Sequence, residues 1–135
     1  MDILETVRAL QEKEAQLGYD ALAAHERVVV DVAALEAEVN NGGLEQFFFN
    51  SAGDRVAATI DALESIGASR AAEIVKQACQ LFPGGQPKAD RDLRQDQLEH
   101  LDPNSFESLD ERFYSYPDPL EELVEAYWEK TAPPA

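Results

Sequence analysis

The sequence predicts an all-α protein, a single domain spanning residues 1–135 that folds as an irregular or orthogonal bundle of about seven helices. Three observations support this fold class. Apolar residues recur at helical spacing along almost the whole chain. Clusters of asparagine, glycine and proline interrupt this period at turn-like positions, and no segment reads as a convincing strand. The length of 135 residues suits one domain with its own hydrophobic core.

The first forty residues predict two helices. An apolar face indicates a helix over residues 2–16 that ends near Gly18, and its members are Ile3, Leu4, Val7 and Leu10. A longer helix is expected from Asp20, a candidate N-cap, to Asn40. The valine run at 28–30 favours a strand by itself. Its alanine-rich flanks have high helix propensity and contain no turn signal, so we predict helix.

The stretch EVNNGGLEQFFFNSAGD, residues 38–54, predicts a structural hinge. Asparagine and glycine tolerate the left-handed conformation that closes a helix, so NNGG ends the second helix. A short third helix follows, with Phe47 and Phe48 on its apolar face and Phe49 off it. Ser51 and Asp54 match the capping pattern of a fourth helix that ends at Gly67.

Three further helices complete the prediction. The fifth begins at Ser69, as its N-cap, and stops at the turn cluster FPGGQP. The sixth begins near Asp90. Two Asp-Pro pairs, at 102–103 and 118–119, each offer a carboxylate cap with proline at the first helical position, and the second opens the last helix. Residues 131–135 are expected to fray.

Charge restricts the class of partner. The chain has 11 basic and 27 acidic residues, a formal charge of −16. Residues 1–54 and 95–135 each hold 11 acids, whereas residues 55–94 are nearly neutral. Such a chain repels nucleic acid and anionic membrane, so we expect a basic protein as its partner. The acidic N-terminus does not resemble a signal peptide and no apolar run is long enough for a membrane helix, which predicts a soluble cytoplasmic protein.

The sequence contains no catalytic or cofactor motif that we can identify. Walker, GxGxxG, HExxH, CxxC and GxSxG patterns are all missing. We therefore predict a protein that is not an enzyme and has no cofactor. The two histidines have acidic neighbours, His25 beside Glu26 and His100 near Glu99 and Asp102, but this pattern is too unspecific to predict a metal site. The single cysteine excludes an internal disulfide, and we expect a buried thiol there.

Two candidate sites remain. One is an acidic surface in which Glu121, Glu125 and Glu129 form a line with about 6 Å between steps on the last helix. One such helix is too sparse to imitate DNA, but two acidic helices side by side approach its charge density, so the surface predicts a DNA mimic. The full surface set is Glu36, Glu38, Glu45, Asp110, Glu111, Asp118, Glu121, Glu122, Glu125 and Glu129. The same acids are also typical of a solvated face or a saline host.

The other candidate is a polar pocket beside the phenylalanines. Oriented amides next to aromatic walls are common in ligand sites. The residues are Asn41, Gln46, Asn50 and Ser51, with His25 as an added metal ligand. This alternative predicts a small-ligand or metal-binding helical domain, including a metal-dependent enzyme. A further alternative is an immunity or antitoxin-like protein that neutralises a basic toxin.

The order of motifs over residues 25–129 resembles a bacterial family of all-helical domains of unknown function. The resemblance rests on NGG-x-x-QFF-x-NS at 41–51, ALESIGA, LFPGGQPKADRDLR and LDERFY. That family includes a DNA mimic that binds a helix-turn-helix transcription factor. The resemblance therefore implies a DNA-binding protein as partner and a homodimer. It also implies that the motif residues determine the fold, namely Asn41, Gly42, Gly43, Gln46, Phe47, Phe48, Asn50 and Ser51.

Overall fold

A computed structural model describes residues 2–133, which form an all-α single domain with no strand in that range. The predicted fold class is confirmed. The helices are α1 (Ile3–Leu17), α2 (Ala24–Phe49), α3 (Val56–Ser65), α4 (Ser69–Gln80), α5 (Arg91–Glu99), α6 (Glu107–Tyr114) and α7 (Leu120–Thr131). Part of the predicted frayed end, Pro134 and Ala135, lies outside the described residues.

The start of α1 is as expected, but the start of α2 differs from the prediction. Asp2 caps α1 by accepting a hydrogen bond from the Leu4 N–H at 2.8 Å. Asp20 lies in a short 3-10 turn and does not cap α2. The helix instead begins at Ala24, where the Glu26 carboxylate accepts from the Ala23 N–H at 2.8 Å. Alanine has no acceptor of its own, so the glutamate one turn ahead satisfies this end.

The second helix is the centre of the bundle. Its valine run is helical as predicted, with Val29, Val30 and Val32 buried. α2 packs against α1, α3, α5, α6 and α7. Every other helix except α4 is therefore placed by its contacts with α2, and α4 packs against α3 and α6.

The NNGG turn divides α2 into two helical segments, which confirms the predicted hinge. Gly42 and Gly43 have non-helical backbone angles, and Gly43 has a φ of 76°. The Asp110 carboxylate of α6 accepts from the Leu44 N–H at 2.8 Å and so caps the second half of α2. A Cβ at Gly43 would lie 2.7 Å from an Asp110 carboxylate oxygen. The predicted short third helix is the segment of α2 after the kink, and the Asp110 carboxylate caps its start.

Aromatic rings after the kink fill the core. Phe47 and Phe48 are fully buried, and the Phe48 ring packs against Phe82 and Phe106 at 4.8 and 5.8 Å between centroids. Phe49 is 48% exposed, as its position off the apolar face predicts. Burial of large aromatic side chains is a major source of stability in a domain of this size.

A buried arginine, which sequence reasoning missed, holds the segment after the kink. Arg94 of α5 has no exposed surface. Its guanidinium donates to four backbone carbonyls and one carboxylate, those of Phe48, Asn50, Lys88, Ala89 and Asp54. The predicted cap role of Ser51 and Asp54 is wrong, since Asp54 pairs with the arginine and no side chain caps α3. A Cβ at Gly53 would meet the Phe47 carbonyl at 2.7 Å, so glycine lets the chain pass.

The cap of α4 comes from the far end of the chain. Ser69 is the first helical residue, not the N-cap. The Asp118 carboxylate accepts from the N–H groups of Arg70 and Ala71, each at 2.8 Å. Asp118 was expected to cap the last helix, and that expectation is wrong. Its carboxylate satisfies orphan donors of α4 because the loop before α7 packs against that helix end.

The predicted cap of α5 is confirmed, whereas the first Asp-Pro pair does not begin a helix. Asp90 caps α5 as expected, accepting from the Leu93 N–H at 3.0 Å. Asp102 accepts from the Asn104 N–H in a turn, and α6 begins only at Glu107. Pro119 immediately precedes α7 rather than occupying its first helical position.

Candidate protein-interaction surface

Folding brings the two acidic segments of the chain together. α7 packs against α1 and α2, and α6 packs against α2. These four helices come from residues 1–54 and 95–135, whereas α3 and α4 come from the nearly neutral middle. The acidic helices therefore form one connected group. Counting charges along the sequence does not show that the two acidic segments meet.

Four carboxylates line a groove between α2 and α7, which we call the acidic groove. It has a volume of about 580 Å³ and is lined by Tyr116, Pro119 and Leu120 together with Glu36, Glu121, Glu122 and Glu125. A neighbouring hollow between the start of α1 and the end of α7 adds Asp2 and Glu129 beside Glu125. The structure thus unites five of the predicted surface acids. Asp2 was missed, because its place beside α7 depends on helix packing.

Tyr116 holds one of these carboxylates in place. Its hydroxyl donates to Glu36 at 2.7 Å and accepts from the Asn40 amide at 2.8 Å. Its φ is 51°, a left-handed conformation that is uncommon for a large side chain. Burial raises the pKa of Tyr116. A tyrosine hydroxyl is protonated at neutral pH even at its ordinary pKa, so it can donate to Glu36. Sequence reasoning missed Tyr116, because no local residue pattern predicts a left-handed backbone conformation at a tyrosine.

An apolar cavity adjoins the acidic groove. It has a volume of about 320 Å³ and lies between α1, α2 and α7. Its aliphatic walls are formed by Ile3, Leu4, Val7, Val29, Val32 and Val124. Glu36 and Glu121 line both this apolar cavity and the acidic groove, so the two hollows are continuous.

The other predicted surface acids lie elsewhere, and one is buried. Glu45 and Glu111 are exposed. Asp110 caps the second half of α2, and burial raises its pKa, with the Leu44 N–H opposing and Glu45 adding to the shift. Asp118 is only 8% exposed, so its assignment to the acidic surface is wrong. The sequence could not separate these roles, because an aspartate that caps a helix and one that lies on the surface are the same residue type.

The predicted surface acids lack ion-pair partners in the described part of the chain. In residues 2–133, none of the ten takes part in an ion pair with a lysine, arginine or histidine. The bases that form ion pairs in the described residues do so with other acids, for example Arg55 with buried Asp31 at 3.1 Å and Lys13 with Glu26 at 3.0 Å. The acidic groove is consequently a region of uncompensated negative charge.

The amides of the predicted polar pocket form a hydrogen-bonded cluster around Glu38. Gln46 and Asn50 both donate to the Glu38 carboxylate, at 2.8 and 2.9 Å, and Asn41 donates to Gln46 at 3.1 Å. Ser51 is exposed on the neighbouring turn. Neither the acidic groove nor the apolar cavity is lined by these four residues. The cluster fixes the angle across the kink of α2, and its amides are already satisfied.

The histidines and the cysteine do not converge on a common site. The His25 ring packs on Trp128, with 5.2 Å between centroids, while the Nδ1 of exposed His100 contacts the Asp96 carbonyl at 2.8 Å. Within residues 2–133 no group of three or more His, Cys, Asp or Glu side chains is placed to hold a metal ion. Burial raises the pKa of Cys79 to about 11, so its thiolate is scarce at neutral pH.

Comparison with known proteins identifies the family. In the described part of the chain, no helix has the length and apolar character needed to cross a membrane. No curated protein and no solved structure matches the sequence. The profile of the DMP19-like proteins matches residues 20–131, most of the chain and all helices except α1. The resemblance predicted from the NGG and FPGG motifs is thereby confirmed, and the chain belongs to the DMP19-like protein family.

Proposed function

We propose that this protein is an acidic interaction protein, a DNA mimic that occupies the DNA-binding surface of a basic partner such as a transcription factor. The observation that carries the proposal is the acidic groove, in which two helices present four carboxylates without ion-pair partners in the described chain. Membership of a family represented by a DNA mimic supports it.

The spacing of the charges supports imitation of a nucleic-acid backbone. Glu121, Glu125 and Glu129 recur every four residues on α7, about 6 Å apart along its axis. One DNA strand presents a charge about every 3.4 Å of axis, so α7 alone is too sparse. Glu36 of α2 and Asp2, the N-cap of α1, flank this line. The combined surface approaches the density to which a basic DNA-binding groove responds.

The same charge defines what the protein does not bind. A net charge of −16 repels DNA, RNA and anionic lipid, so the proposal includes no direct contact with nucleic acid or membrane. The protein acts by occupying a surface, without catalysis, metal or cofactor. The proposal includes a cytoplasmic location, where the protein would meet a DNA-binding partner. A homodimer, which the family resemblance implies, would extend the acidic surface over two chains.

Neutralising the α7 line tests the proposal. We expect Glu121→Gln, Glu125→Gln and Glu129→Gln together to weaken partner binding by about tenfold, since each exposed charge pair contributes about 0.5 kcal/mol. The matched control is Asp61→Asn, Glu73→Gln and Glu99→Gln, which removes the same charge from exposed positions outside the acidic groove. Far-UV circular dichroism verifies that both variants keep their helicity.

Partner capture supplies the binding assay. Immobilised protein is exposed to native lysate at low ionic strength and eluted either with salt or with duplex DNA. Mimicry predicts a DNA-binding protein that both eluents release and that the α7 variant no longer retains. A basic protein that salt releases but DNA does not would favour the toxin-neutralising alternative. Equal retention by the α7 variant and its control would refute the acidic groove as the binding surface.

A further inference from the structure

We propose that the apolar cavity is a docking site for an amphipathic, basic helix of the partner. An apolar side chain of that helix enters the cavity, and a lysine or arginine one turn away contacts the carboxylates of the acidic groove. This inference rests on the proposed function and adds to it a contact that a DNA backbone cannot make.

The walls of the cavity favour an apolar occupant. Val29, Val32 and Ile3 are buried at its floor, while Leu4 is 51% exposed at its edge. A volume of about 320 Å³ corresponds to roughly ten water molecules at liquid density. Water in contact with aliphatic walls lacks hydrogen-bond partners there, so an apolar side chain that replaces it gains free energy of association.

The rim of the cavity favours a positive charge next to that apolar side chain. Glu36 and Glu121 lie where the cavity meets the acidic groove, and Glu122 and Glu125 continue the groove. None of the four is paired with a base in residues 2–133. A purely apolar ligand would form no ion pair with these carboxylates, whereas a purely cationic ligand would leave water in the apolar cavity.

The dimensions of the cavity favour a helix. Its α2 wall runs from Val29 to Asn40, a span of about 16 Å or three helical turns. A helix bound along such a groove places anchors at i, i+3, i+4 and i+7. Side chains four residues apart are separated by about 6 Å, which allows one to enter the cavity while the next reaches the acidic groove.

Charge also excludes a second copy of this chain as the favoured occupant. Another copy would bring its own −16 against the same carboxylates. The outer wall is formed by α1, which precedes the family match at residue 20. The cavity combines walls from α1 with walls from the matched helices α2 and α7, and it suits selection of a partner beyond general attraction to basic proteins.

Filling the cavity tests the proposal. Ala37 is an exposed residue of α2 at the cavity wall, and Ala37→Phe would occupy the space. The control is Ala57→Phe, the same change at an exposed position of α3 outside the cavity. Leu4→Gln provides a second variant, which removes apolar wall at an exposed site if the phenylalanine prevents folding.

Two synthetic helical peptides serve as probes. Both carry the same arginines on one face, and one carries leucine four residues before the first arginine where the other carries alanine. Fluorescence anisotropy measures their binding to the full-length protein. We expect the leucine peptide to bind about tenfold more tightly, at low and at high salt. Ala37→Phe and Leu4→Gln should remove this preference, whereas Ala57→Phe should retain it.

Other outcomes would overturn the proposal. Equal binding of the two peptides, with loss of both at high salt, would refute the apolar docking site and leave the charge-based function standing. A preference for leucine that survives both cavity variants would place the contact elsewhere. Failure of the leucine peptide to bind at all would also refute it. Sedimentation velocity gives an independent criterion. If the wild type is a dimer and only Ala37→Phe is a monomer, the cavity is a contact between two copies of the chain and not a docking site for a partner helix.

Discussion

Replacing Arg94 with methionine should sharply destabilise the protein. The guanidinium is fully buried and donates five hydrogen bonds around the turn after α2. Methionine keeps much of the apolar stem but has no donor. Four backbone carbonyls and the Asp54 carboxylate would lose this donor, and the turn after α2 would keep only the weaker, exposed bonds from Arg91 and Gln95 of α5.

The magnitude follows from those contacts. The Phe48 carbonyl is buried, and loss of its donor costs about 2 kcal/mol. The Asn50 carbonyl keeps the Gly53 N–H at 3.1 Å, and water can reach the carbonyls of exposed Lys88 and Ala89, so these three together cost about 2 kcal/mol. Asp54 has a 41% exposed side chain, which water can solvate, so its loss adds little. Burial of the methionine returns about 1 kcal/mol. We expect the free energy of unfolding to fall by about 3 kcal/mol, a large part of the roughly 5–15 kcal/mol typical of such a domain.

Urea unfolding followed by circular dichroism measures this loss. Arg91→Met is the matched control on the same helix, because Arg91 is exposed and bonds only the Phe49 carbonyl and the Asn50 side chain. That control should lose about 0.5 kcal/mol. Arg94→Lys, which keeps the charge without the planar fork, should lie between the two. A loss in Arg94→Met within about 1 kcal/mol of the control would refute the argument that this arginine holds the turn.

Two further substitutions test the caps. Asp118→Ala should lower the free energy of unfolding by about 1–2 kcal/mol in the same urea assay, since it leaves two N–H groups of α4 unpaired. The control Asp102→Ala, in an exposed turn, should change the free energy of unfolding little. Equal losses in the two variants would contradict the long-range cap. Burial opposes ionisation of Glu26, but the Ala23 N–H and Lys13 outweigh it and lower its pKa below 4.5. A carboxylate whose pKa is lower in the folded than in the unfolded state stabilises the fold at pH values above its unfolded pKa. That contribution is lost as the pH falls through its folded pKa. The stability difference between wild type and Glu26→Gln should therefore be full at neutral pH and shrink in acid, and a difference independent of pH would contradict this role.

Local patterns predicted the helices well and their ends less well. Periodicity located α1, α3, α4, α5 and α7, and Asp90 was recognised as a cap because its acceptor and donor lie within one turn. Ser69 and Asp20 also match the local cap pattern, yet neither acts as one. Many side chains satisfy a short pattern, and the packed structure selects among them by which carboxylate actually reaches the helix end.

The candidate site shows the same division. The α7 line of Glu121, Glu125 and Glu129 follows from helical geometry alone. That Glu36 faces this line depends on the packing of α2 against α7, and on Tyr116 in an uncommon backbone conformation. The apolar cavity could not be predicted, because its walls come from three helices whose relative positions no local pattern contains.

The sequence by itself determined the all-α class, the acidic character, the family and most helix positions, because periodicity, composition and motifs are properties of neighbouring residues. Tertiary structure alone decided which distant groups meet. Asp118 reaches α4 across 48 residues, Asp110 reaches the α2 kink across 66, and Arg94 reaches the turn at Phe48 across 46. A buried polar group must find a partner, but the partner's place in the chain is set by how the helices pack.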